Sequence, residues 1–249
     1  MFAGKPLLLP GVPGKLVHEA LRKAGGNEIE SGKLASPESS AALAVNAFGW
    51  FLERPTDLPE FPQLRDVDWP ASRVDIERQM RFPWQGGRHP WLDAAIETSS
   101  HIIGVESKRY EPFRDNKAVS LSSAYDRDVW GDAMSPFTQM RDGLRAGAMS
   151  FTHLDAAQLT KHAFGLVTEG RRLEKAPILL YLYAEPERRG GKLIAPLAIA
   201  RHRAEIINFA EAVAGAEVRF EACSWREWLG SWGGVAGLHA SALTAAFQP

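Results

Sequence analysis

The chain has 249 residues, 45% apolar and 24% charged, enough to bury a sizeable core as one large domain or two small ones and unlike a disordered or fibrous protein. A net charge of −1 gives no overall basic character, so charge alone does not mark a nucleic-acid binder. The single cysteine, Cys223, excludes an intramolecular disulfide, and no apolar run approaches membrane-spanning length, so a soluble, cytoplasmic protein with no membrane partner is expected.

Residues 1–37 are rich in glycine, proline and lysine, with one short helix expected over about 16–24 and closed by Gly25-Gly26. Ser36-Pro37-Glu38 reads as a helix start, serine as cap and proline in the first turn, and the alanine-rich run behind it predicts a helix over 38–52. Four prolines (Pro55, Pro59, Pro62, Pro70) make residues 53–70 a surface connection. Residues 72–80 then alternate Val74 and Ile76 with Arg73, Asp75 and Glu77, a strand pattern.

Residues 92–98 and 101–108 are two strand-like runs on either side of Ser99-Ser100, which predicts a β-hairpin. A turn centred on that pair sets opposite each other residues whose numbers sum to 199: Thr98 and His101, Ala95 and Gly104, Asp93 and Glu106. Such partners have Cβ atoms about 4.5–5.5 Å apart. Alternation puts Asp93, Glu106 and Lys108 on one face, with small Ala95 and Gly104 leaving room for a substrate or metal. Leu92, Ala94, Ile96, Ile103 and Val105 take the other face, towards a core.

Residues 111–148 read as a long irregular connection with short helices. An amphipathic helix over 153–168 follows, through Leu154, Ala157, Leu159, Ala163, Leu166 and Val167, ending near Gly170. The continuous apolar run 176–184 is expected at the centre of the sheet, covered on both faces. A helix over 202–215, a strand over 216–222 with Val218, Phe220 and Ala222 inward, and a helix or turn from Ser224 complete the order. The sum is an α/β domain, a mixed sheet sandwiched by helices. Cys223 reads as a buried thiol, the tryptophans as packing residues, and the basic groups Arg171-Arg172, Arg188-Arg189 with Lys192, and Arg201-His-Arg203 as solvated charge unless they converge on the hairpin.

Two carboxylates and a lysine on one face suit a metal-dependent phosphodiesterase, because hard carboxylate oxygens hold Mg²⁺ or Mn²⁺ together with waters and a substrate phosphate. Lys108 would stabilise charge in the transition state or orient the attacking hydroxide. Here the sequence resembles the PD-(D/E)xK nuclease superfamily, including uncharacterised bacterial members: Asp93 matches the first acid and Glu106-Ser107-Lys108 the triplet. The proline that often precedes the acid is displaced, since Leu92 takes its place and Pro90 lies three residues earlier.

The resemblance covers about residues 36–228 of a single domain spanning 1–249 and implies a restriction-endonuclease-like αβββαβ core, a magnesium or manganese cofactor, and a nucleic-acid substrate, DNA first. It also implies that Glu38, at the start of the first helix, lies near the metal, as a ligand beside Asp93 and Glu106. Gln158 is similar to the glutamine that opens a Gln-x-x-x-Tyr motif in recombination-type exonucleases of the superfamily and joins Asp93, Glu106 and Lys108 as a candidate catalytic residue, although His162 replaces the tyrosine. Restriction-type members are often dimers, so a homodimer is a further expectation.

Blander readings stand beside these. Asp115-Asn-Lys117 is a chance second triplet with no hairpin partner. Glu97 and Glu77 read as rim carboxylates, Glu38 equally as a helix-dipole partner, and His89 and His101 lack zinc spacing. Two other functions fit the same residues: a nuclease-like domain that grips nucleic acid or protein without cutting, and a glycosidase using Asp93 and Glu106 as its acid/base pair.

Overall fold

The computed structural model describes residues 8–25, 34, 36, 38–114 and 119–249. Helix α1 (Gly14–Ala24) is closed by Gly25, as predicted. Helix α2 (Ser40–Gly49) begins later than expected from Ser36: its cap is Ser39, whose hydroxyl accepts the N–H of Ala42, and residues 50–52 lie in turns. Every residue from Ala42 to Gly49 is buried, which is why α2 is apolar all round instead of amphipathic.

Strand β1 (Arg73–Gln79) pairs antiparallel with β2 (Trp91–Glu97), and β2 with β3 (His101–Lys108). The hairpin has the predicted register over Ala94 to Glu97, where Ala94 faces Val105, Ala95 faces Gly104, Ile96 faces Ile103 and Glu97 faces Ile102, but the ladder stops short of the expected Asp93–Glu106 pair. Asp68 pins its turn, accepting from Thr98 Oγ1 at 2.7 Å and Ser100 N at 2.9 Å, with Ser99 Oγ and His101 Nδ1 on the same carboxylate. His101 therefore has a structural task.

One expectation about the faces fails. Leu92 lies with Ala95 and Ile102, not with Ala94 and Ile96. The cause is a break in the pleat at Asp93: the β2–β3 ladder stops at Ala94, the β1–β2 ladder skips Glu77, and Glu77 takes φ of 49°. The turned Leu92 fills the space that Gly104 leaves. A Cβ on Gly104 would collide with Leu92 Cδ1 and approach Leu166 Cδ1 at 3.2 Å, so the small residues admit core packing instead of a substrate.

After β3 come a short α3 (Glu111–Arg114) and then α4 (Ser135–Arg145), an ordered helix where an irregular connection was expected. Its buried Phe137, Met140 and Leu144 recur at helical spacing. Helix α5 (Ala156–Leu173) is capped by Asp155, which accepts from Gln158 N at 2.9 Å. Strand β4 (Ala176–Tyr183) runs parallel to β3. Strands β5 (Arg188–Arg189) and β6 (Lys192–Leu193) form a small separate hairpin through Gly190 and Gly191, at φ 52° and 78°, the two left-handed residues a tight turn needs. Helix α6 (Pro196–Ala212) starts six residues before the predicted 202, with proline in its first turn. Strand β7 (Arg219–Ser224), α7 (Trp225–Gly230) and α8 (Gly234–Phe247) complete the chain.

The main sheet has the order β1-β2-β3-β4-β7, so its central strand is β3 and not β4. One face, with Ile76, Ile96, Ile103, Val105 and Leu180, packs on α1, α2, α7 and α8 through Val17, Phe48, Trp225, Trp228 and Phe247. The other, with Ile102, Leu179 and Tyr181, packs on α4, α5 and α6 through Phe137, Phe164, Leu166 and Phe209. Both faces are dry, as the apolar run of β4 implied. The packed core extends past the expected 36–228 into α1 and α8.

Candidate active site

The break in β2 that turns Leu92 inward also sets Asp93 apart from the ladder, and its carboxylate takes over a backbone partner on β3. Asp93 Oδ2 accepts the N–H of Ser107 at 2.6 Å, which leaves Oδ1 with no hydrogen-bond partner among the described residues. Strand alternation sends Glu106 and Lys108 to one face and Ser107 to the other, where its hydroxyl accepts from Trp225 Nε1 at 3.2 Å. Glu106 is buried, and Lys108 Nζ makes an ion pair with its Oε1. From α5, His162 Nε2 stands 2.9 Å from Glu106 Oε2, outside hydrogen-bond alignment, and His162 Nδ1 is buried with no partner.

These contacts divide the charge. Burial pushes the Glu106 carboxyl up, but Lys108 and His162 outweigh it and hold it at about 2. Burial likewise opposes the Lys108 ammonium, and Glu106 and Asp93 overcome it, so Lys108 is held well above its ordinary value and stays charged. Asp93 goes the other way: burial and the Glu106 charge raise it well above the carboxylate range, against the pull of Lys108. One carboxylate of the pair is thus firmly anionic and the other is short of positive charge.

The remaining predicted residues are placed as follows. Asp93, Glu106 and Lys108 come together; Gln158 lies on α5 one turn before His162, in a groove that His162 shares. Glu38 is drawn to Arg189, 3.2 Å away, and its charge reaches Arg109. Glu97 is not at the site but in an ion-pair cluster, with Arg78 at 2.6 Å and Lys175 at 3.0 Å. The triplet Asp115-Asn-Lys117 includes residues outside those described. Cys223 is buried, with burial pushing its thiol up to about 12.

Three contributors went unassigned in the sequence. His162 was visible only as a departure from a motif. Glu111, which accepts from Ser40 Oγ at 2.7 Å and Arg109 N at 2.9 Å, adds its charge to Lys108. Glu77, read only as a rim carboxylate, adds a like charge that raises Asp93. Neither glutamate sits in a spacing that announces it.

Residues 4–245 match the model of the family described as restriction endonuclease associating with ARP. The chain belongs to this restriction-endonuclease family. No curated protein and no solved structure matches it. The five-stranded mixed sheet flanked by helices is the restriction-endonuclease-like α/β fold that the Asp93 and Glu106-Ser107-Lys108 pattern implied. Restriction-endonuclease membership makes nuclease the function class and nucleic acid the partner class of the chain. Among the described residues, no helix is long and apolar enough to cross a membrane, and no group of three or more His, Cys, Asp or Glu side chains is arranged to hold a metal ion.

Proposed function

We propose that the chain is a metal-dependent nuclease that hydrolyses phosphodiester bonds in DNA. The observation that supports this reading is the convergence of Asp93, Glu106 and Lys108 at the break in the hairpin of a restriction-endonuclease family member. The donor set suits a hard divalent cation: Asp93 offers Oδ1, and the oxygens of Glu106, although engaged by Lys108 and His162, keep further lone pairs. Asp93 and Glu106 would hold Mg²⁺ or Mn²⁺, which would supply polarisation of the phosphate and a lowered pKa for a water. Glu38 joins the donors only by giving up Arg189.

The chain's own groups do the rest. Ser107 N–H holds Asp93 in place, so its free oxygen is aimed by the backbone and not by a mobile rotamer. Glu106 stays ionised and anchors Lys108 in turn. Lys108, kept charged, stabilises the negative charge that grows on the phosphate oxygens and orients the attacking water. Gln158 on the adjacent helix contacts the substrate strand.

The test is cleavage of plasmid DNA by purified protein with Mg²⁺ or Mn²⁺. Asp93→Ala and Lys108→Ala should each lower the rate by about 10²-fold or more with unchanged circular dichroism. Wild-type rates in both variants would overturn the reading. A second reading, a domain that grips nucleic acid without cutting, draws on the two engaged oxygens of Glu106 and the lack of a three-residue metal cluster among the described residues. DNA binding in metal-free buffer with no turnover under any divalent cation would favour it.

A further inference from the structure

Beside the candidate site, between the loop before β2, residues 120–125 and α5, lies a cavity of about 550 Å³. Its lining holds no aspartate or glutamate, in a chain that has 30 of them. It does hold Arg88 and Lys161, and neither has an acidic partner among the described residues. Of the basic residues noted in the sequence, Arg171, Arg172, Arg189, Arg201 and Arg203 are each paired with a glutamate, while Arg188 and Lys192 lie on the separate β5–β6 hairpin.

The walls are aromatic. Phe82 and Trp84 stack with ring centres 4.7 Å apart, Arg127 covers Trp84 at 4.4 Å, and Tyr125 meets Phe82 edge-on, so the rings of this wall brace one another. Gln158 adds an amide that can both donate and accept. His162 lines the same cavity while touching Glu106, so cavity and carboxylate share a side chain.

We propose that this cavity takes one unstacked nucleotide of the nucleic-acid substrate, next to the bond that is cut. The base lies against the aromatic wall within reach of Gln158 and His162, and the neighbouring phosphates sit on Arg88 and Lys161. A base inside a duplex cannot enter such a pocket without leaving its stack, so the site favours strands in which a base is already unpaired. The proposal rests on the nuclease reading of Asp93, Glu106 and Lys108 and names the form of substrate that reading leaves open.

The experiment is fluorescence anisotropy of the full chain in EDTA with three labelled probes of one sequence: a perfect duplex, the same duplex with one mismatched pair, and the single strand. The mismatched duplex and the single strand should bind about fivefold or more tightly than the perfect duplex. Lys161→Glu and Arg88→Glu should erase that ratio, whereas a merely general loss of positive charge would weaken all three probes alike. Competition of a deoxynucleoside monophosphate for the preference supports the pocket and shows that a free nucleotide also fits it. Equal binding of the three probes, or an unchanged ratio in both variants, overturns the proposal. Cleavage without any preference would end the pocket and leave the nuclease reading standing; a preference with no cleavage under any divalent cation would do the reverse.

Discussion

At the scale of single residues, the site depends on which partner each charge has. Glu106 is anionic because Lys108 and His162 offset its burial, whereas Asp93 has only a backbone N–H at close range and the repulsion of Glu106. Asp93, Glu106 and Lys108 were legible because residues on one strand face are fixed by counting in twos. Glu77 and Glu111 were not, since their charges act on Asp93 and Lys108 from a residue with a left-handed backbone angle and from a helix beyond the strand, positions that counting along β3 does not reach. The same scale gives a pH prediction at Glu205 on α6, which accepts N–H groups from Thr152 at 2.8 Å, His153 at 2.7 Å and Leu154 at 2.9 Å and so fixes the approach to α5. Burial pushes Glu205 up, and these donors with Arg201 outweigh it, holding it below its ordinary 4.5. Its stabilising effect is therefore complete above pH 4.5 and is lost as the pH falls through the lower folded value. Glu205→Gln should cost about 1–3 kcal/mol at neutral pH by urea denaturation, and the loss should shrink in acid. An equal loss at pH 7 and pH 3 would contradict this.

At the scale of elements, the hairpin shows both the reach of sequence periodicity and where it ends. The register followed from the Ser99-Ser100 turn and holds from Ala94 to Glu97. The face of Leu92 did not follow, because the break at Asp93 turns Leu92 to the opposite face while the pairing with β1 keeps its register, Arg78 opposite Leu92. Gly104 tests that correction. Alanine there would gain backbone order worth about 0.5–1 kcal/mol, but its methyl would enter the space of Leu92 and Leu166, and overpacking costs about 1–3 kcal/mol. Gly104→Ala should lower stability, and because Leu166 and His162 share α5, it should also disturb the contact with Glu106. A variant as stable as the parent in urea would show the space to be open. Helix α4 was missed for another reason: three apolar anchors among polar residues and a leading proline resemble a loop until α5 is in place to pack on them.

At the scale of the whole molecule, a sheet buried on both faces leaves only its strand ends and the breaks in its ladders for chemistry, and the candidate site occupies such a break. The order αβββαβ was legible from the alternation of strand and helix patterns, as was α1, but the contribution of α8 was not, because an alanine-rich helix near a terminus carries little periodicity to read. Net charge also misled in one respect. Its value of −1 conceals a local contrast: several surface arginines are neutralised by glutamates, whereas Arg88 and Lys161 line a cavity whose walls carry no carboxylate. Few phosphate contacts then imply a shallow salt dependence: with about two phosphates neutralised in the groove, log affinity for single strands should fall against log salt with a slope of roughly −1.4. A slope several times steeper would mean that a much wider basic surface is used.

The most direct test of the central claim is calorimetric titration of Mn²⁺ into the apo-protein and its variants. The account predicts that wild type binds the ion, that Asp93→Ala and Glu106→Ala do not, and that Lys108→Ala binds it while failing to cut DNA. Equal binding in wild type and in the Asp93→Ala and Glu106→Ala variants would contradict this, because Asp93 and Glu106 would then not be what holds the metal.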